Sequence, residues 1–394
     1  MDPDQLTALR TPDGARALAA AGELSGRDPL AATAALRSRG VAPALAAAAL
    51  TQADLRRRAA AKFGPQAAGM FFTRPGLEQA TRSAVARRRA ERLRAAGVRR
   101  LADLGCGLGA DAFAAARAGI TVYAVEADPL TAALARANAE VLGLADRVEV
   151  SCADATTVDV SGYDAVFCDP ARRRAGTGRR VFDPAAYSPP WDFLTRLAAR
   201  VPRTVLKLAP GIDHALIPAG AEAQWVSVDG GVVEAAFWCG PLAAAPRRAT
   251  VLRGDMVAEL TGSGTAAAPV DGVRRFLYDP DGAVVRAHLV AEFAATVAGT
   301  LADPAIAYVY ADAARPTPYA RCFEITDAVP FSLKRLRALL RERGVGRLEI
   351  LKRGSALDPD RLRRELRLSG PGSASLVLTR VAGAPTALLC DPRA

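Results

Sequence analysis

Paired cysteines, long apolar runs and lysine are all scarce in this chain, and each scarcity excludes something. The six cysteines, at positions 106, 152, 168, 239, 322 and 390, lie far apart with no CxxC pair. Neither a structural metal knuckle nor a disulfide framework is expected from that spacing. The most alanine-rich stretch, VAPALAAAAL (Val41–Leu50), is too short and too weakly apolar to span a bilayer. The opening MDPDQLTALR is acidic and polar, without the charged-then-apolar pattern of a secretory leader. A soluble, cytoplasmic protein with no membrane or metal partner is therefore expected. Half of its 394 residues are apolar, enough for two or three domains without staples.

What the chain has in excess is arginine. The formal charge is +11, and of 52 basic residues only Lys62, Lys207, Lys334 and Lys352 are lysine. A GC-rich genome writes many arginines and alanines into any protein, so clustering says more than the total. Phe331–Arg367 holds 12 basic and 5 acidic residues, and Arg82–Arg100 holds eight arginines against Glu91. Two local basic patches point towards a polyanion, with nucleic acid the first class to consider.

The first eighty residues read as helices, with breaks at Thr11-Pro12-Asp13-Gly14, Arg27-Asp28-Pro29 and Gly40. After an aromatic cluster at Met70, Phe71 and Phe72, LEQATRSAVARRRAERLRAAG reads as one amphipathic helix stopped by Gly97. From Val98 short apolar runs alternate with helical blocks. The runs are RLADLG, TVYAVEA, VEVSCAD, DAVFCDP, TVLKLAP and AQWVSVD, followed by VVEAAFWCG. Such alternation implies right-handed crossovers and a mostly parallel, doubly wound sheet. The last two runs, close together across Asp229-Gly230-Gly231, read as an antiparallel hairpin at the sheet edge. After Gly240 an α+β mixture follows. It includes a basic helix, FSLKRLRALLRERG, and a small ferredoxin-like module at about Gly272–Asp327. Four domains are expected: helical over 1–80, α/β over 81–245, α+β over 246–327, and a basic module over 328–394.

Chemistry concentrates in the α/β part. LADLGCGLGAD (Leu101–Asp111) leaves a strand, places Gly105, Gly107 and Gly109 within five residues, and enters a helix. Such a turn lets backbone pass close under a ligand and aims free N–H groups at it, although a tight strand–helix turn needs no other explanation. The surrounding acids narrow the choice. Asp103 precedes the first glycine, Glu126 ends the second strand, Asp154 follows the third and Asp169 the fourth. Acids thus recur at the C-terminal ends of successive strands, the edge where open α/β sheets bind ligands, and Glu126 stands where a carboxylate can accept ribose hydroxyls. A nicotinamide dehydrogenase competes for the same turn. The acid before GCG argues against it, as does the lack of a suitably placed histidine, since His214 follows the fifth strand.

DLGCGLGAD, AVEADP, CADAT and FCDPAR, in this order and spacing, resemble the class I S-adenosylmethionine-dependent methyltransferases over roughly Val98–Gly240. The resemblance implies a Rossmann-like seven-stranded sheet and S-adenosyl-L-methionine as cofactor. It assigns Asp103 and the turn of Gly105, Cys106, Gly107 and Gly109, continuing to Asp111, to the amino-acid end of the cofactor. Glu126 and Ala127 fall to the ribose, Asp154 and Ala155 to the adenine, and Asp169 to the reacting end. FFTRPGLEQAT, CDPARR, PFSLKRLRALL and ILKRG resemble a narrower bacterial group carrying a C-terminal THUMP-like domain. THUMP domains accompany RNA-modifying enzymes, so this likeness implies a tRNA or rRNA substrate.

The turn VFCDPARRR (Val166–Arg174) holds the catalytic candidates Asp169, Pro170 and Arg172. It resembles the Asp-Pro-Pro-aromatic turn that aligns exocyclic amines, but Ala171-Arg172 replace the second proline and the aromatic. It also resembles the motif of RNA uracil-C5 methyltransferases. Those enzymes need a nucleophilic cysteine after the next strand, where this chain has Leu208-Ala209-Pro210-Gly211. Arg173 and Arg174 beside the turn, Lys334 and Arg335 on the basic helix, and Lys352 and Arg353 in ILKRG are the candidate RNA contacts. Lys207, inside a buried strand, requires an acidic partner or a place in the site. Tyr187 and Trp191 either cover the site or pack a helix. His214, His288, Phe71 and Phe72 read as structural. Two alternatives remain open: a non-catalytic RNA-binding or assembly protein with this fold, and a methyltransferase acting on a small molecule or protein.

Overall fold

The computed structural model describes residues 1–172 and 187–393. The chain forms two compact units, Met1–Leu208 with Phe237–Leu242, and Ala209–Ala236 with Ala243–Ala394. Among the described residues no helix is long and apolar enough to cross a membrane.

The first unit opens with helices α1 (Pro3–Leu9), α2 (Pro12–Glu23), α3 (Pro29–Ser38) and α4 (Pro43–Phe63). Each starts with proline in its first turn, where the missing N–H costs nothing. Asp2, Thr11 and Asp28 cap the first three through their side chains. The aromatic cluster that follows is core, since Met70, Phe71 and Phe72 are all buried. Two buried amides hold it. Gln52 of α4 accepts from the Phe72 N–H (3.0 Å) and donates to the Phe72 carbonyl (2.7 Å). Asn138, on a later helix, treats Phe71 in the same way at 2.7 and 3.1 Å. Because Gln52 is fully buried, Gln52→Ala strands two backbone groups away from water. A loss of about 2–6 kcal/mol of stability is expected, at about 1–3 per unsatisfied group. Urea denaturation of the two proteins measures it.

The arginine-rich helix is interrupted. It divides into α5 (Arg74–Gln79) and α6 (Ser83–Ala95). Lys62 Nζ donates to the carbonyls of Leu77, Glu78 and Ala80 at 2.7, 2.7 and 3.0 Å, ending α5 as a cation ends a helix. Thr81 is then drawn inward, its hydroxyl donating to Asp111 at 2.6 Å.

Five parallel strands follow: β1 (Arg100–Leu104), β2 (Thr121–Glu126), β3 (Val148–Cys152), β4 (Ala165–Cys168) and β5 (Thr204–Leu208). They lie in the order β5-β4-β1-β2-β3. Helices α7 (Ala110–Arg117), α8 (Pro129–Val141) and α9 (Trp191–Arg200) are the crossovers. All four residues of β4 are buried, as expected of a central strand covered on both faces. The chain winds outward from β1 to β3 and returns to place β4 on the other side of β1. That reversal puts a topological switch point between β1 and β4.

The second unit contains β6 (Glu222–Val228), the start of β7 (Gly231–Trp238), β8 (Arg247–Arg253) and β9 (Met256–Gly262). The sequence placed the β6–β7 hairpin at the sheet edge, and the structure corrects this. β8 pairs parallel with β6, and β9 pairs antiparallel with β8 to form the edge. The PLAAAPRR stretch is a short connection between β7 and β8, and the two units part within it, between Leu242 and Ala243. Its anchor is the buried Glu222, whose carboxylate accepts from Ala244 N, Ala245 N and Arg248 Nε at 2.8, 3.1 and 2.8 Å.

A second sheet joins β10 (Phe276–Pro280), β11 (Thr300–Leu301), β12 (Val309–Ala311), β13 (Ala320–Pro330), β14 (Val345–Lys352), β15 (Gly372–Val381) and β16 (Ala384–Arg393). Its order is β11-β12-β10-β13-β16-β15-β14. The sequence expected a boundary between residues 327 and 328, which lies inside β13. This long strand pairs with β10 through residues 320–324 and with β16 through residues 322–330. The ferredoxin-like and basic modules therefore share one sheet. Two short helices, α10 (Gly282–Arg286) and α11 (Val290–Thr296), follow β10, and helices α12 (Leu333–Glu342) and α13 (Pro359–Leu366) bury Leu336, Leu340, Leu362 and Leu366 against Leu348, Leu376 and Leu378.

Both histidines belong to one aromatic stack in the second unit. His214 lies 4.8 Å from Trp225 and 3.9 Å from His288, nearly parallel to each. Burial, then His288 and Arg247, push the His214 pKa from 6.5 down to about 4. The unfolded chain binds a proton between these values that the folded chain resists, so stability falls as pH drops through that window. His214→Phe is expected to flatten this part of the stability–pH curve, measured by urea melts between pH 7 and pH 4.

Candidate active site

Glycine geometry builds the floor of the site. Gly105 leaves β1 at φ +88°, and its N–H and that of Cys106 donate to the Val125 carbonyl at 2.9 and 3.0 Å. A Cβ at Gly105 would stand 2.6 Å from the Asp169 carbonyl oxygen, so no larger residue fits without moving the turn after β4. Nothing lies within 4 Å of where a Gly107 Cβ would be, so the turn is open on that side. Glu126, at the end of β2, accepts from Gly107 N with one oxygen and Asp128 N with the other, both at 3.0 Å. Asp154 is exposed after β3 and accepts from the backbone and hydroxyl of Thr156, both at 2.8 Å. Those bonds hold its carboxyl below the usual range.

Beneath the turn lies a buried charge cluster. Asp103 is fully buried, and neither carboxylate oxygen has a hydrogen-bond partner among the described residues. Burial, then Asp111 and Asp169, hold its pKa well above the ordinary carboxylate value. Asp111 is fully engaged, accepting from the Thr81 hydroxyl on one oxygen and the Arg89 guanidinium on the other. That guanidinium also stacks on the Phe167 ring of β4, 4.6 Å from its centroid. Asp169 Oδ2 meets Lys207 Nζ at 2.6 Å, which gives the half-buried lysine its acidic partner. Burial pushes the thiols of Cys106 and Cys168 well up, so both are kept as neutral thiols.

The remaining expected positions divide clearly. Gly109 is the left-handed N-cap of α7, Ala127 is exposed, and Ala155 and Pro170 are buried. The backbone of Ala171–Arg172 pairs with Tyr187–Ser188. Tyr187 is buried, its ring 6.3 Å from that of Trp191. Arg173 and Arg174 lie outside the described residues. In the second unit, Lys334 and Arg335 are exposed on α12. Lys352 Nζ donates to the Leu357 carbonyl at 2.8 Å. Arg353 is committed inward, donating to Asp279 Oδ1 at 2.8 Å and to the Pro280 carbonyl at 3.0 Å. Sequence reasoning overlooked Arg89. The available signal was an arginine inside the buried stripe of α6, alongside Val85, Ala86, Ala90 and Leu93.

A switch-point crevice with a glycine turn and acids at the ends of β1, β2, β3 and β4 is the architecture of a Rossmann-like methyltransferase. Residues 101–174 match the family described as Methyltransferase domain, and residues 320–392 match THUMP domain-like. Residues 2–59 match a domain of unknown function. An uncharacterized S-adenosylmethionine-dependent methyltransferase of Mycobacterium tuberculosis H37Rv is 37% identical over 355 residues, covering 86% of this chain and 95% of that protein. Its counterpart in strain CDC 1551 / Oshkosh matches to the same extent. A solved structure from Porphyromonas gingivalis W83 shares the fold, with a TM-score of 0.75 over 96% of this chain and 99% of that one at 22% identity. The chain belongs to the S-adenosylmethionine-dependent methyltransferase family.

S-adenosyl-L-methionine is the cofactor, and the residues present fit it. A buried carboxylate with two idle acceptors calls for a cationic donor, which the cofactor's amino group is. Each oxygen of Glu126 accepts one backbone bond and keeps capacity for a hydroxyl.

Proposed function

We propose that the protein methylates a base in tRNA or rRNA. Asp103 and the turn of Gly105, Cys106, Gly107 and Gly109 take the amino-acid end of the cofactor, Glu126 and Ala127 the ribose, and Asp154 and Ala155 the adenine. The bound cofactor supplies an electrophilic methyl group on a sulfonium. The protein's task is then to place the acceptor in line and receive its proton. Asp169 has the position for this, half-exposed at the crevice with one oxygen held by Lys207. Pro170 fixes the turn, and Arg172 takes substrate phosphate. Asp111, expected at the amino-acid end of the cofactor, is engaged by Arg89 and Thr81 and braces the start of α7 beside that end.

One observation carries the choice of RNA. Lys334, Arg335 and Arg341 on α12, with Arg364 and Arg367 on and just after α13, are all exposed. None forms an ion pair among the described residues. Other surface arginines commonly do, as in Arg361–Glu365 and Arg363–Asp360 within α13 itself. Unpaired cations on adjacent helices suit phosphate contact, and the THUMP-like match covers them. The test is mass spectrometry of tRNA and rRNA nucleosides from a strain lacking the gene. One methylated nucleoside should disappear and return with the wild-type gene. An unchanged nucleoside profile would redirect the search to small-molecule or protein acceptors.

A further inference from the structure

We infer that Lys207 is a positioning residue that keeps Asp169 ionised and fixed in direction at the reacting end of the site. This rests on the reading of Asp169 as the group that aligns the acceptor. β4 and β5 run parallel with Cys168 opposite Leu206, so Asp169 and Lys207 face each other one step beyond the paired strands. The ion pair is short, and the lysine side chain is only 13% exposed against 32% for the aspartate. The lysine thus approaches from the protein side and leaves the carboxylate's other oxygen available.

The surroundings explain why a cation is needed. Asp103 raises the cost of a second negative charge, and Asp111 stands behind it. Arg89 neutralises Asp111 directly, whereas Lys207 is the cation bonded to Asp169. Lys62 also feels Lys207, although its ammonium is held by the carbonyls at the end of α5. Cys168 is neutral and contributes no charge. Without Lys207, Asp169 loses the cation bonded to it, and losing an adjacent cation disfavours the charged form of its carboxyl. A protonated Asp169 can neither accept the acceptor's proton nor orient it through the same lone pair.

The test reads ionisation directly in the full-length protein. Carboxyl-labelled aspartate is titrated by NMR, with the Asp169 signal assigned by its loss in Asp169→Asn. Lys207→Met should move the Asp169 midpoint upward, the direction expected when an adjacent cation is lost. Lys207→Arg should restore most of the shift. Should Lys207→Met fail to fold, the same coupling is read from the other side, because linkage is reciprocal. In Asp169→Asn, the Lys207 ammonium should then titrate at lower pH than in wild type. A midpoint unmoved by Lys207→Met, or a Lys207 titration unmoved by Asp169→Asn, would overturn the inference and leave Lys207 as packing alone. Neither readout needs substrate, so a failure of the RNA reading would show separately, as absent turnover with the coupling intact.

Discussion

Asp169→Ala is expected to lower methyl-transfer turnover by about 10³-fold, within the about 10²–10⁴ that a positioned proton acceptor contributes. Affinity for S-adenosylmethionine should survive the change. The backbone that crowds Gly105 is kept, since it is the Asp169 carbonyl and not its side chain that approaches that glycine. Asp103 meanwhile loses a like-charged neighbour and ionises more easily, which favours a cationic partner. The signature is therefore a fall in kcat with little change in the cofactor Kd, measured by single-turnover transfer to RNA and by calorimetry with the cofactor. Equal loss of both would mean that Asp169 maintains the cofactor site instead. Wild-type turnover in Asp169→Ala would remove it from the chemistry.

The strands and their acidic ends were legible because two independent constraints coincide in the sequence. Strands buried on both faces must be written as apolar runs, which is why DAVFCDP and TVLKLAP stand out, and ligand-facing polar groups can appear only where those runs stop. What the sequence hid depends on partners far along the chain. Arg353 counted as part of a basic patch, yet its guanidinium is spent on Asp279, 74 residues away. Lys207 announced itself as a misplaced charge, but nothing local identified Asp169 as its partner, 38 residues earlier. The extra strands β8 and β9 were concealed by proline and alanine in the connection, which read as a boundary. The buried Glu222 that anchors this connection is unremarkable in sequence. The break between α5 and α6 has the same origin. Its cause is Lys62, bonded across to Ala80 from another helix, whereas the local pattern alone favours an unbroken helix.

Replacing Lys334, Arg335, Arg341, Arg364 and Arg367 together by glutamine is expected to weaken RNA binding by about 3,000-fold at about 0.1 M salt. Each phosphate contact on a single strand contributes about 0.7 to the slope of log K against log salt, so five contacts account for a slope of about 3.5. That dependence fixes the form of the result. The variant's slope should be shallower by about 3.5, and the two proteins should converge as salt approaches about 1 M. The fold should persist, because α12 and α13 are held by Leu336, Leu340, Leu362 and Leu366 from their opposite faces. Fluorescence anisotropy with a labelled tRNA across a salt series gives both numbers, and the melting temperature checks the fold. An unchanged slope would mean that the phosphates are gripped elsewhere in the chain. A reduced affinity with an unchanged slope would point to lost packing instead of lost charge. Arg353→Gln is the internal control. Its guanidinium already belongs to Asp279, so it should lower stability while leaving the salt slope nearly as it was. The separation of these two arginine effects is what distinguishes a phosphate-binding face from the general arginine richness of the chain.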